Sequence, residues 1–429
     1  MSPSQHTSIR HALGAALAED TINQLGRETG QTQRMRVITP FRLVTTLLVA
    51  MAIGATETIA DLHREFNFQN GTATAYKPFY MRLARSSFAK FMRAVAVRLI
   101  EELAVRVLQP KSGSPVSRFT DIIIQDGSSF ALKPVLRSAF PGRFKTVEPA
   151  AVEVHVTFSG FHDEVERAHV SPDTTAERHF LPRPEELRGK LLVADRGYPS
   201  RPYFQALDDA GACFVVRLTR SWKPWVVATA DRGNRVPLGK PLPLAQFLSQ
   251  HPPTAAFDLD IQLRQGRQVF ACRLVVVPGK DKRRTWLCTN LLRNEFPAEL
   301  VCQLYRFRWQ VELLFKEWKS YANLRKFDTG NKHIARGFIW ASLAAAVVKR
   351  FIAHAAEAKT HVPISTRKVA MCARVFIRRL LTLVNQPRRF SAVVREVVAF
   401  LATNARRAHP ERDASRGRLR PGLQLCAVA

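Results

Sequence analysis

Two short apolar runs, each ending at an aspartate, constrain this chain more than any other feature. Asp121-Ile-Ile-Ile-Gln125 leads into Asp126-Gly127, and Leu191-Leu-Val-Ala194 leads into Asp195-Arg-Gly197. Runs apolar on successive residues bury both faces, as central strands do in a sheet covered by helices, so the expected class is α/β. Residues 152–158 and 164–170 alternate as strands, Cys213-Phe-Val-Val-Arg217 is another apolar run, and residues 199–207 suit a crossover helix between two strands. A carboxylate at the C-terminal end of a buried strand is lifted to the sheet edge, where open α/β sheets build sites, and the nearby Gly permits close backbone approach. Asp before Gly also marks ordinary turns, and for either residue alone that reading stays open.

Around this segment the pattern is helical. Residues 1–110 carry apolar positions at helical spacing, as in Leu43, Leu47, Leu48 and Met51 or Phe88, Phe91, Met92 and Val95. Between them, two short helices joined at Asn70-Gly71 fit either a DNA-reading helix-turn-helix, with Lys77, Arg82 and Arg85 facing phosphates, or a plain helical hairpin. The linker Pro110-Lys-Ser-Gly-Ser-Pro115 closes this region. Residues 221–285 turn Pro-rich and β-rich, with strands at 257–263 and 269–277, and helical periodicity returns from Pro297 through 304–324, 338–356 and 368–383. The Arg-, Gly- and Pro-rich stretch 404–421 is expected to be a flexible tail.

Sixty-five Lys and Arg against thirty-five Asp and Glu leave a formal charge of +30, costly self-repulsion unless a polyanion neutralises it, so nucleic acid is the expected partner. Half of that excess lies beyond residue 330, where nineteen Lys and Arg face four Asp and Glu. The six cysteines are scattered without a CxxC pair, which points to reduced thiols rather than a zinc knuckle or a disulfide framework. The opening residues lack a secretory signal core. The longest apolar stretches, 43–55 and 338–348, fall short of the ~20 residues that span a bilayer, so a cytoplasmic, chromosome-associated protein without membrane contact is expected.

The densest chemistry lies on the helix expected over 304–324. At ~100° per residue, with Tyr305 as zero, Arg308 falls near ~300°, Glu312 near ~340° and Lys319 near ~320°, one narrow polar stripe. It borders the apolar face of Leu304, Phe307, Val311, Leu314, Phe315 and Trp318 instead of opposing it, which would press Glu312 against the sheet edge. An intrahelical Arg308–Glu312 ion pair explains part of the same spacing. Three carboxylates converging on one point repel one another, and divalent cations resolve the conflict. Oxygen-only ligands favour Mg2+ or Mn2+, and a metal pair held by Asp126, Asp195 and Glu312 would activate an attacking water and stabilise a leaving 3′ oxygen, with Arg308 and Lys319 positioning the scissile phosphate.

These residues resemble the DDE transposases of the insertion-sequence-4 group over roughly 119–324. The family signature is Tyr, two residues, Arg, three residues, Glu, six residues, Lys, and Tyr305, Arg308, Glu312 and Lys319 match every spacing. Asp126-Gly-Ser and Asp195-Arg-Gly-Tyr198 are similar to its two Asp motifs. The resemblance implies an RNase H-like catalytic core with a β-rich insertion between the second Asp and the Glu, and the 117 positions from Asp195 to Glu312 leave room for one. It also implies two metal ions per site and hydrolytic nicking at the ends of an insertion sequence. A hairpin intermediate and strand transfer into target DNA would follow. It suggests that Trp286 stacks a flipped base, although a strand core aromatic reads the same way.

The organisation expected from this reading places a helical DNA-binding region at 1–110 and the first part of the core at 116–220. The β-rich insertion occupies 221–285, the catalytic helix with the rest of the core 286–348, and a basic helical region with its tail 349–429. Partners would be double-stranded DNA, as terminal inverted repeats and target, and a second copy of the chain on that DNA. An RNase H-like nuclease without strand transfer and a non-catalytic DNA-binding protein are the alternatives; the intact carboxylates argue against the latter.

Overall fold

The computed structural model describes residues 9–54, 57–198, 200–231, 234–252, 254–266, 268–279, 284–321, 328–408 and 426–428. Within them the chain is a mixed α/β protein, in which a ten-stranded sheet is covered on one face by a helical body drawn from both ends of the sequence.

The N-terminal helices are α1 (Ile9–Ala16), α2 (Glu19–Glu28), α3 (Pro40–Ile53), α4 (Ile59–Asn70), α5 (Tyr76–Leu83) and α6 (Ser86–Glu102). Local signals set their ends. Thr39 caps α3 by accepting from the Arg42 N–H, Pro40 occupies its first turn, and Thr58 and Asp61 form a reciprocal capping box on α4. The α4–α5 pair expected to face DNA is partly tied down: Arg82 donates to the Gln31 carbonyl at 2.9 Å while Gln31 donates back to the Arg82 carbonyl. Lys77 and Arg85 remain exposed.

After β1 (Leu108–Pro110), which pairs with the C-terminal β12 (Cys426–Val428), the sheet begins with β2 (Ile122–Ala131), β3 (Ala151–Ser159) and β4 (Glu164–Pro172). It continues with β5 (Leu191–Ala194), α7 (Arg201–Asp209), β6 (Cys213–Arg217), β7 (Trp225–Asp231), β8 (Asn234–Pro243), α8 (Leu244–Ser249), β9 (Phe257–Gln265), β10 (Gln268–Pro278) and β11 (Arg284–Thr289). The strand order is β4-β3-β2-β5-β6-β11-β10-β9-β7-β8. β2, β5 and β6 run parallel, as the apolar runs required, and every other pairing is antiparallel. The β-rich segment after residue 221 therefore extends the same sheet through β11 on β6.

One expectation for β2 is corrected. Asp126 does not end its strand: β5 stops pairing at Gln125, but β3 continues opposite β2 as far as Ala131. The parallel neighbour ends there; the antiparallel one does not.

The chain then forms α9 (Ala298–Arg306), α10 (Trp309–Tyr321), α11 (Lys332–Thr360), α12 (Thr366–Thr382) and α13 (Pro387–Asn404). The single helix expected over 304–324 is thus broken. The Phe307 and Arg308 N–H groups reach only three residues back, to the Leu304 and Tyr305 carbonyls, in a tight turn between two helices. α9 packs on β6, β10 and β11 whereas α10 packs on β2, α11 and α12, so one straight rod could not serve both. Residues 322–324 of that expectation, and 409–421 of the expected tail, lie outside the described residues.

The central member is α11. Its 29 residues include a window long and apolar enough to cross a membrane, longer than the sequence reading allowed, yet that window is wholly buried within the fold. Gly337 permits its contact with α6, since a Cβ there would fall 2.2 Å from the Phe88 ring. Part of the basic excess beyond residue 330 is structural as well. Lys349 and Arg350 are buried, Lys349 donating to the Tyr321 carbonyl at 2.7 Å and Arg350 pairing with Asp163 and Glu317. Burial brings the Lys349 ammonium down to about 8.

Candidate active site

Strand alternation sorts the sheet into two faces. Ile122, Ile124, Val193 and Val215 join the core under the helical body, whereas Ile123, Leu192 and Val216 join the core on the opposite side. Asp126, Asp195 and Arg217 continue the first set by parity, so all three side chains emerge toward α9 and α10. Because β2 and β5 pair in parallel from Ile122 opposite Leu191 to Gln125 opposite Ala194, the next residues, Asp126 and Asp195, lie at the same level of the sheet.

The broken helix supplies the remaining groups. Tyr305, in the last turn of α9, donates its hydroxyl to Asp195 Oδ1 at 3.1 Å. Arg308, in the turn, places Nη1 2.8 Å from Asp126 Oδ2 and 3.0 Å from Glu312 Oε1, joining a strand carboxylate to one in the first turn of α10. The intrahelical Arg308–Glu312 pair is real, but the same nitrogen also holds Asp126. Asp126 Oδ1 accepts from the Gly127 N–H at 2.9 Å. Arg217, at the end of β6, stands 3.8 Å from Asp195 Oδ1.

The electrostatics follow from this crowding. Burial pushes the Asp126 carboxyl up to about 6, Arg308 and the Gly127 N–H oppose the shift, and the Glu312 and Asp195 charges add to it. Burial works against the Arg308 charge, but Asp126 and its neighbours outweigh it and hold the guanidinium above its ordinary range. Burial, followed by the Asp195 charge, raises the Tyr305 phenol. Three hard oxygen donors crowded this way suit a divalent cation. Among the described residues no three His, Cys, Asp or Glu are already gathered to hold one; Arg308 is the cation that joins Asp126 to Glu312.

The other expected residues lie further out. Lys319 stands over the Phe130 ring at 5.3 Å, four residues beyond Asp126 on β2. Trp286 is buried on β11 in the core on the opposite side of the sheet from the carboxylates. It walls a cavity of about 740 Å³ with Trp225, Arg220, Lys223 and Arg284. Sequence reasoning passed over Arg217, although a cation ending an apolar strand run carried the same signal as the two aspartates. It also passed over a buried polar group behind Gly127, where Glu153, His155 and Tyr198 converge on the space a Cβ would need. The polar Glu153, His155 and Thr157, alternating with valines on β3, were the visible sign.

Residues 118–348, more than half of the chain, match the family described as Transposase DDE domain. The putative transposase InsL of an insertion sequence element of Escherichia coli is 29% identical over 202 residues, covering 40% of this chain and 52% of that protein. The transposase of an insertion sequence element from Bacillus thuringiensis subsp. berliner is 19% identical over 340 residues, 71% of each. The chain thus spans about half the length of the Escherichia coli relatives it matches. A solved chain, from a piggyBac transposase synaptic complex with hairpin DNA, is 11% identical with a TM-score of 0.48, covering 92% of this chain and 84% of that one, a likeness too loose to carry an argument.

Proposed function

This chain belongs to the DDE transposase family, and from that premise we propose that it cuts the ends of an insertion sequence by metal-dependent phosphodiester hydrolysis and joins them to target DNA by transesterification. The observation that carries the reading is the convergence of Asp126, Asp195 and Glu312 from two parallel strands and a broken helix, tied together by Arg308 and Tyr305. The strand order β4-β3-β2-β5-β6, with β2, β5 and β6 parallel, supports an RNase H-like core. The Tyr305, Arg308, Glu312 and Lys319 spacing supports placement in the insertion-sequence-4 group and a cut-and-paste route through a hairpin. The helical region 1–110 and the basic region 349–429 are assigned to DNA contacts and to pairing of two copies on DNA, with 116–220 and 286–348 as the core and 221–285 as the insertion.

In this mechanism Asp126, Asp195 and Glu312 would hold two Mg2+ or Mn2+ ions, which would supply a lowered pKa for the attacking water and charge compensation for the leaving 3′ oxygen. Asp126 would have to be ionised to hold a metal ion, and with its carboxyl pushed up to about 6 by burial it is mostly ionised at neutral pH. Arg308, beside both carboxylates, would present a planar fork to the scissile phosphate. Tyr305 and Arg217 both face Asp195 Oδ1 and keep that carboxylate oriented. Lys319, on α10, contributes a point charge beside Phe130 further along β2, and a base displaced from the duplex would have to pass the sheet edge to reach the cavity beside Trp286 on the other face.

The test is cleavage of a labelled duplex carrying the element's own end, with Mg2+ or Mn2+, by the native chain and by Glu312→Ala. Metal-dependent 3′ hydroxyl ends that vanish in the variant support the three-carboxylate site. Cutting that persists without Glu312 overturns it.

A further inference from the structure

The loop between β2 and β3 carries three of the fourteen large hydrophobic side chains exposed among the described residues: Val135, Phe144 and Val147, the last 84% exposed. The loop is nevertheless well built. Leu132 and Ala150 bond across its base, Gly142 N–H reaches the Pro149 carbonyl, Glu148 N–H reaches the Phe144 carbonyl, and Phe140 and Leu136 are buried beneath. Arg143 fastens the tip to the sheet through its backbone N–H to Asp173 at 3.0 Å and its guanidinium to Glu153 at 3.3 Å. A rigid loop presenting Phe144 at 63% exposure between two cations is poorly explained by its own packing.

Its charge and position narrow what covers it. From residue 133 to 148 the loop holds Arg137 and Lys145 besides Lys133, which pairs with Asp328, and Arg143, which pairs with Glu153, and the start of α11 beside it adds Lys332 and Arg336, the latter over the Phe140 ring at 5.2 Å. A second copy of a chain with net charge +30 would meet this surface with like charge, whereas a polyanion would not. The loop also leaves β2 six residues beyond Asp126, past Phe130 and Lys319. The tip folds back along the strand, because Asp173, which accepts from the Arg143 N–H, also accepts from Ser129, three residues beyond Asp126; at ~3.3 Å per strand residue Phe144 stands roughly 10–20 Å from the carboxylates, about three to six base pairs along a duplex.

We propose that the tip of this loop is a DNA wedge: Phe144, supported by Val147, packs into a base step three to six pairs from the scissile phosphate, while Lys145 and Arg137 take the flanking phosphates. Apolar side chains flanked by cations open base steps in this way. The inference rests on the transposase reading of the carboxylate site but is read by binding, not by cleavage. Full-length protein is titrated onto duplexes carrying 2-aminopurine at single positions from three to twelve pairs from the cleavage point, using the native chain, Glu312→Ala, Phe144→Ala and Lys145→Ala. A fluorescence rise confined to the three-to-six window is expected in the native chain and in Glu312→Ala. It should be lost in Phe144→Ala together with roughly five- to hundred-fold weaker binding. Lys145→Ala should lower the salt dependence of binding by ~0.9 in log–log slope. Native binding without a fluorescence rise, or Phe144→Ala binding and fluorescing as the native chain does, overturns the wedge. Cleavage by Glu312→Ala would instead sink the catalytic reading and leave the wedge standing.

Discussion

Replacing Arg350 by methionine removes the one guanidinium between two buried carboxylates. Arg350 places Nη2 2.8 Å from Asp163 Oδ1 and Nη1 3.3 Å from Glu317 Oε2, its Nε donates to the Asp163 carbonyl, and its guanidinium lies 5.7 Å from the Phe158 ring centre. Glu164 and His354 border the same pocket, and Lys349 is the neighbouring cation on α11. Breaking a buried pair from one side costs about 3–5 kcal/mol, a large part of an ordinary domain's stability of about 5–15 kcal/mol. Burial already holds the Glu317 and Glu164 carboxyls above their usual range, and without Arg350 both would fold more readily as neutral acids. A carboxyl whose folded pKa exceeds its unfolded value stabilises most below the unfolded value and loses that contribution as pH rises through the folded one. The variant's deficit is therefore widest near pH 7.5 and narrows toward pH 5. Urea unfolding of native protein, Arg350→Met and Arg350→Met/Glu317→Gln at both pH values measures it, the double variant recovering part of the loss. A deficit below about 1 kcal/mol near pH 7.5, or one that grows on acidification, would refute the reasoning, because a broken buried pair predicts neither.

Three further outcomes are expected. Gly127→Ala would put a Cβ 2.7 Å from Glu153 Oε1, 2.9 Å from the Tyr198 hydroxyl and 3.0 Å from His155 Nδ1, all buried, so thermal unfolding should show a loss of about 1–3 kcal/mol; an unchanged melt would mean that these side chains give way. Asp126 should titrate at about 6 in the metal-free protein by carboxyl NMR, and Mn2+ affinity should fall as pH drops through that value. Affinity that stays flat from pH 5 to 7 would count against Asp126 as a ligand. Trp286→Leu preserves an apolar side chain in the strand core and should reduce hairpin formation on the element's end; hairpins formed at the native rate would leave Trp286 a core residue only.

Much of the carboxylate-bearing face was legible beforehand because its signals are local. Ile122 to Gln125 and Leu191 to Ala194 are apolar on both faces and pair in parallel as that composition required. Leu304, Phe307, Val311, Leu314, Phe315 and Trp318 are all buried, so the apolar side of the expected helix was identified even though the helix is broken. The break itself was invisible. Helical periodicity is blind to a two-residue turn that nearly preserves its phase, and the turn follows from α9 and α10 packing on different parts of the fold. Trp286 had the right neighbours in sequence, but which face of the sheet it takes depends on a register set by β6 and β10.

From its own sequence this chain determined the α/β class, the order of its strands along the chain, the capped ends of α3 and α4, and the residue types of a carboxylate site, since each depends on a period of two or 3.6 residues or on a neighbour within a turn. Beyond the Arg308–Glu312 pair, which lies four residues apart and was legible from spacing, tertiary structure alone decided who neutralises whom. Arg308 also holds Asp126, 182 positions away, and Arg350 lies against Asp163, 187 positions away. The same basic residues that the net charge assigned to DNA are divided by burial into structural cations and exposed ones. Composition counts charges, whereas an ion pair depends on distance and dielectric, and both exist only once the chain has folded.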